Sequence, residues 1–494
     1  MKTKNKVIII FLIALLVFPS MRVIAHNQPT TQSCLLTQAT WEWADVADGN
    51  PPVKPGYGIA EDQNNNLYVA GSFYGEISFQ TNGYAIKDII TLNSQGQNDI
   101  LLVKYNNNGE CQWARQAGGD NHDEAFAITI DKKDNIIITG YFFGTATFDD
   151  IVLTATGVYD IFIAKYNSDG VLLWVKQEGG FGLNSGQSLA TDENDFIYVT
   201  GRFGGNAFEN CPTPLHSYGT DDVFVAKYKP NGELIWAQQA GGKYSDQANA
   251  LILDSENNVY ITGFFSDIAL FRPHSSSVET AQHYILRSKG QEDIFLAKYD
   301  ENGNFKWVKQ AGSKFDDIAY SITTDDESVY ITGKFFNSAY FDGILLKSSI
   351  ERSDGFIAKY TKNGGIVFAR KLVKQFGDNG TNWGRAITTR NGSFYILGDF
   401  KGTIELNNGE SLSCNTNSFN LWSTNAYIAK YDNEWKVQWV KQVGSLWDHV
   451  FSLTVDNNFD VYTTGSVAHS VDFDGLTFTG LGDGDFFIAK ITET

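Results

Sequence analysis

Methionine, cysteine and histidine are scarce in this chain, with 2, 4 and 7 residues in 494. None of the histidines makes a metal-like pair, and Cys34, Cys111, Cys211 and Cys414 have no metal-like spacing. Neither a metal nor a cofactor is therefore expected. Cys34 and Cys111 each precede a repeated Trp, so a bridge between them stays open. Positive charge is short as well: Lys plus Arg number 38 against 57 for Asp plus Glu, a net charge of -19. Such a field repels phosphate backbones and argues against a nucleic-acid partner. The chain has no Gly-x-Ser-x-Gly elbow, no Walker loop and no dinucleotide fingerprint. Its Asp- and Asn-rich turns lack calcium-loop spacing. The expectation is a protein that is not an enzyme, with a carbohydrate-active enzyme as the third reading because carboxylates are plentiful.

Apolar runs are short after the first 25 residues, and no helical period appears. The first 25 residues read as a secretory signal, with Lys2, Lys4 and Lys6 ahead of the apolar stretch Val7 to Phe18. Cleavage is expected after Ala25, with residues 26–40 as a polar linker. The mature chain would then be secreted or at the cell surface, or in the periplasm. It would carry no transmembrane segment and would be a monomer.

What the chain does have is glycine (47), aromatics (14%) and a repeat. Runs like Asn258-Val-Tyr-Ile-Thr-Gly263 end at Gly71, Gly140, Gly201, Gly263, Gly333, Gly398 and Gly465. A second run, Asp160-Ile-Phe-Ile-Ala-Lys-Tyr166, recurs with its lysine at Lys104, Lys165, Lys227, Lys298, Lys359, Lys430 and Lys490. Each repeat orders four strand-like segments A, B, C and D, bounded by Asn, Asp or Gly. This predicts an all-β, seven-bladed β-propeller of four-stranded antiparallel blades over residues 41–494. The blades start near residues 57, 125, 187, 248, 319, 385 and 450. The last repeat lacks a Trp segment, and an orphan one stands at Trp41-Glu-Trp-Ala44. Residues 41–46 are therefore expected to complete the last blade, hiding its edges.

The stretches Asp254-x-x-x-Asn258-Val-Tyr-Ile-Thr-Gly263, Asp293-Ile-Phe-Leu-Ala-Lys-Tyr299 and Asn302-Gly303 to Trp307 resemble the bacterial seven-bladed propeller repeats of exported and cell-surface proteins, the SBBP repeats. The resemblance implies a propeller at the cell surface and names no activity.

A polar residue present in every repeat builds the blade. The strand-C lysines are expected to pair with the Asp ending strand A or the Asp opening strand C, such as Asp254 and Asp293. Function is sought on the top face, in the long B-to-C stretches and the D-to-A connections. Lys54, Asp123, Asn184, Asp246, Asp317, Asn382 and Asp448 stand at one position before strand A. They are either a ring at the channel mouth or caps of the turn. Most Trp residues occupy strand D, where Phe368 replaces one. Trp435 sits in a bottom turn, while Trp383, Trp422 and Trp447 break the pattern in top loops near the sixth repeat. With Arg385, Asp399 and Asp448 they form the candidate site for a glycan or protein ligand. The leading reading is a binding module, and the alternative is a structural scaffold of a surface assembly.

Overall fold

The computed structural model describes residues 39–50, 56–81, 88–272, 284–348, 352–414, 424–443 and 449–493. The signal and nearly all of the linker lie outside them, as does Cys34. All regular structure among these residues is β, and every named strand pairing is antiparallel. No helix among them is long and apolar enough to cross a membrane.

Within each repeat the strands pair in the order A-B-C-D. In the second repeat they are Glu124–Ile130, Ile136–Phe148, Ile151–Tyr166 and Leu172–Glu178. The Gly ending the strand-B motif is needed where A and B nearly touch. A Cβ on Gly140 would stand 1.9 Å from the Glu124 carbonyl. The strand Ala39–Val46 lies antiparallel to the last strand, with Trp43 opposite Lys490 and Val46 opposite Phe487. The outer strand of the last sheet thus comes from the start of the domain.

The expectation of seven separate blades is corrected. Five blades stand as separate four- or five-stranded sheets, formed by the first, second, fifth, sixth and seventh repeats. The third and fourth repeats are hydrogen-bonded into one ten-stranded sheet, with the hairpin Ser338–Phe341 and Ile344–Lys347 attached to its end. The cause lies in the stretches between B and C. They are extensions of the two strands, folded as long hairpins that turn at positive-φ residues such as Asp342 and Gly343. In the fourth and fifth repeats the hairpin reaches back over the end of the preceding strand D. Ala240 and Gly242 pair with Phe271 and Ala269, and Ala311 pairs with Phe341. Glycine admits this approach, because a Cβ on Gly242 would stand 1.7 Å from the Ile268 carbonyl.

The apolar core runs around the ring in clusters, each filled from two neighbouring repeats. Trp236, Val225 and Tyr198 of the third repeat pack with Ile261, Phe295 and Phe305 of the fourth. On the bottom face the repeated polar residues act as a staple. The strand-D indole N–H and the strand-C ammonium donate to one carbonyl in the next repeat's C-to-D turn. Trp113 and Lys104 reach the Ser168 carbonyl at 3.2 and 3.1 Å, and Trp236 and Lys227 reach that of Glu301 at 3.3 Å each. The turn's glycine lies against the same indole: Gly170, Gly232, Gly303 and Gly364 have φ between 74° and 82°. A Cβ on Gly232 would stand 3.1 Å from the Trp174 ring.

The lysines choose between their two expected partners. The Asp ending strand A receives Lys165 on Asp131 at 2.7 Å and Lys298 on Asp254 at 4.0 Å. Its first oxygen also caps the turn, and its second takes the strand-B Tyr hydroxyl, as Tyr260 on Asp254 at 3.0 Å. The Asp opening strand C is not a lysine partner of this kind. It sits at the opposite, top end of the same strand, where Gln310 donates to Asp293 at 2.6 Å.

Candidate functional site

One residue of strand A in each repeat falls at a break in the A-to-B pairing. An extra residue there points away from the sheet. In chain order these are Tyr57, Phe126, Gln187, Asn249, Tyr320, Arg385 and Phe451. Together they line a central cavity of about 340 Å³. Its wall is uneven. Phe451, Tyr57 and Phe126 form an aromatic arc, with ring centroids 5.1 and 5.3 Å apart and edges on faces. Gln187 and Asn249 are polar, and Arg385 brings a cation. Sequence reasoning reached only Arg385. The signal for the others is positional: each follows a small residue or valine (Gly56, Ala125, Gly186, Ala248, Ala319, Gly384, Val450) that stays in register.

Trp383, Arg385 and Asp399 come together at this channel. Trp383 and Asp399 are paired across strands A and B of the sixth repeat. Arg385 Nε donates to Asp399 Oδ2 at 2.5 Å. Burial works against the Arg385 charge, and the Asp399 carboxylate more than offsets it, so the guanidinium stays ionised. Its face also covers Trp383 at 4.6 Å and Tyr320 at 5.4 Å. Lys334 Nζ lies over the same indole, 5.2 Å from the Trp383 ring centre. The Trp383 Nε1 and Asp399 Oδ1 atoms are buried without a hydrogen-bond partner. Nearby His449 is held below its ordinary pKa, by burial and by the Arg385 charge against the pull of Asp399. Trp422, Trp447 and Asp448 lie outside the described residues, so half of the expected site has no described geometry.

The expected ring before strand A resolves into caps. Asp123, Asp246 and Asp317 are fully buried, and each accepts two backbone N–H groups. Asn184 accepts from Gly204 N at 2.9 Å, and Asn382 from Gly355 N at 2.7 Å. Lys54 and Asp448 lie outside the described residues. Trp435 is also structural: it is buried against Phe368 and stacked on Phe394 at 4.5 Å. Among the described residues no group of three or more His, Cys, Asp or Glu side chains could hold a metal ion.

Residues 235–263 match the SBBP beta-propeller repeat. The chain is 24% identical over 369 residues to an uncharacterized WD repeat-containing protein of Acanthamoeba polyphaga mimivirus, covering 61% of this chain and 26% of that protein. It is 32% identical over 322 residues to the regulatory protein FlaEY of Caulobacter vibrioides, covering 62% and 33%. The chain thus spans a quarter to a third of the length of these relatives. Among solved structures, a DUF4221 family member from Bacteroides vulgatus aligns over 93% of this chain and 99% of its own, at 11% identity and a TM-score of 0.29. The Synechocystis apocarotenoid oxygenase aligns over 94% of each chain, at 8% identity and a TM-score of 0.39. At these scores neither structure bears on function.

Proposed function

We propose that this propeller is an exported interaction module, secreted or held at the cell surface, whose seven repeats act as sectors of one ring. Its top face, from the channel mouth outward, takes an acidic ligand, either a glycan or a protein segment. The observation that carries this is the half-buried Trp383 indole, with Lys334 5.2 Å and Arg385 4.6 Å from its ring centre. An aromatic face flanked by cations fits a sugar ring or side chain bearing a carboxylate.

The same pairing of cation and ring extends along the top of the third to fifth repeats. Lys243 lies over Tyr244, Arg272 over Tyr218, Lys289 over Tyr340 and Lys314 over Phe315, at 5.1 to 5.7 Å. Tyr218, Tyr244 and Tyr340 are each more than 40% exposed, so ring surface beside each cation is open to a ligand. In a chain of net charge -19 this is a local reversal of sign, although Asp267, Glu292 and Asp316 lie among these residues. The propeller fold and the WD-repeat relative support a protein partner, and the exposed rings support a glycan.

The test is retention on an acidic polysaccharide such as polygalacturonate, and on an acidic protein, for wild type and the Trp383→Ala, Lys334→Ala variant. The expected result is at least a tenfold weaker affinity at an unchanged Tm, with binding that falls as salt rises. Equal binding by variant and wild type would remove the site. Failure of wild type to bind anionic ligands would favour the scaffold role.

A further inference from the structure

We propose that three junctions between neighbouring repeats are latched by buried carboxyl pairs that each share one proton: Asp99 with Asp123, Asp222 with Asp246, and Asp293 with Asp317. In each pair the first Asp opens strand C of one repeat. The second lies just ahead of strand A of the next. All six side chains are fully buried. Both carboxyls face the glycine that ends strand D. A Cβ on Gly118 would stand 2.9 Å from Asp99 Oδ1 and 3.0 Å from Asp123 Oδ2. On Gly241 it would stand 2.7 Å from Asp222 Oδ1 and 2.8 Å from Asp246 Oδ2.

The hydrogen bonds around each pair leave one gap. Both oxygens of Asp123 accept backbone N–H groups, from Gly119 at 2.8 Å and Phe143 at 3.0 Å. Asp246 accepts from Gly242 and Ser266, and Asp317 from Ser313 and Phe336, at 2.7 to 3.0 Å. In the first Asp of each pair, Oδ2 is occupied: Gln116 donates to Asp99, Gln310 to Asp293 and the Tyr218 N–H to Asp222. The Oδ1 atoms of Asp99, Asp222 and Asp293 have no partner. An ionised oxygen buried without a donor is costly.

Two other repeats show what fills the gap. There the second residue is Asn. Asn184 Nδ2 donates to Asp160 Oδ1 at 3.4 Å, and Asn382 Nδ2 donates to Asp354 Oδ1 at 2.9 Å. The Asn382 amide supplies a donor to the oxygen that stands bare elsewhere, while Asn184 Nδ2 gives its shorter bonds to the Tyr159 and Gly180 carbonyls, at 2.7 and 2.9 Å, and touches Asp160 more weakly. An Asp at that position can supply a donor only as the neutral acid, its O–H directed at the partner carboxylate. The surrounding charges agree. Beside the partner carboxylate, Asp123 faces Glu124, Asp246 faces Asp221 and Asp317 faces Asp316; Lys289 is the one cation acting on Asp293. Burial is the main cause that raises both partners, but the second of each pair rises further: Asp123 to about 7 and Asp246 and Asp317 to about 8, against about 6 for Asp99 and Asp293 and about 7 for Asp222, so the second Asp is the one that keeps the proton.

The folded chain therefore keeps a proton at each junction that the unfolded chain releases near pH 4. The stability that the pairs contribute falls as pH rises from about 4 to about 8 and is flat above that window. The latches also span loops of the top face. The Gly242-to-Asp246 bond closes over Lys243 and Tyr244, and the Ser313-to-Asp317 bond closes over Lys314 and Phe315. If the proposed ligand face is correct, its presentation loosens in mildly alkaline solution. The latch itself needs no ligand.

The test is thermal unfolding at pH 5.5 and 8.5 of wild type, the Asp123→Asn, Asp246→Asn, Asp317→Asn triple variant, and Asn184→Asp. Wild type should melt several degrees lower at pH 8.5 than at pH 5.5. The triple variant should shrink that difference by gaining stability at pH 8.5, leaving the share that the Glu61 and Glu178 carboxyls, each pushed up by burial to about 7, supply. Asn184→Asp should enlarge it by adding a fourth pair. An unchanged pH slope in the triple variant would overturn the proposal. So would a wild-type Tm that calcium raises and the triple variant does not share, because a cation would then fill the gap.

Discussion

The junction between the second and third repeats and that between the fifth and sixth join the same strands with different residues. In the first, Trp174 lies against Gly232, and its indole N–H reaches the Pro230 carbonyl at 3.2 Å. In the second, strand D offers Phe368, and the turn offers Trp435 in place of glycine. Trp435 takes the same left-handed backbone, with φ 65°, and puts its indole edge-on against Phe368 at 5.3 Å. The large ring has moved from the strand to the facing turn. The contact needs one indole and one small or flat neighbour, and it does not matter which repeat supplies which. The last junction varies the theme again, with Trp439 and Lys430 bound by the Glu493 carboxylate at 2.9 and 2.6 Å.

The largest effect should come from removing an indole at the closing junction. Trp43 is 3% exposed and bonded to the Asn107 carbonyl. Trp43→Ala should cost about 3–5 kcal/mol, read by denaturant unfolding, because the cavity opens where the two ends of the ring meet. A loss below about 1 kcal/mol would mean that closure adds little. Smaller effects separate a contact from a backbone strain. Gly232→Ala places a methyl against Trp174 in a left-handed backbone and should cost about 2 kcal/mol or more. Gly392→Ala has φ 78° but nothing within 4 Å, so only the backbone term of about 1 kcal/mol applies. Equal losses in the two variants would show that the glycines serve the turn alone.

Much of the fold was legible because a repeat states its rules many times. Strand order, the A-to-B turn Asp and the closing strand could all be read from recurrence. The number of separate sheets could not. It depends on how far each B–C hairpin reaches over its neighbour, and a Gly-Gly end to strand D does not announce that: Gly118-Gly119 leaves an isolated bridge where Gly241-Gly242 pairs as a ladder. The exchange of Phe368 and Trp435 was visible as two irregularities, but joining them needs residues 67 positions apart brought face to face. The site was legible in part. Trp383, Arg385 and Asp399 stand out because the sixth repeat departs from the pattern. The channel residues escaped notice because five residue types share the seven positions, and variation at one position carries no signal until the position is known to face the channel.

The most direct test of the account is a double-mutant cycle on Phe368→Trp and Trp435→Gly, followed by equilibrium unfolding. Trp435→Gly alone should lose about 3–5 kcal/mol, and Phe368→Trp alone should lose about 1–3 kcal/mol from crowding. The double variant rebuilds the contact seen at Trp174 and Gly232. It should recover at least about 1 kcal/mol relative to the sum of the single losses. Additive losses would contradict the claim that a ring exchanged between strand and turn holds neighbouring repeats together.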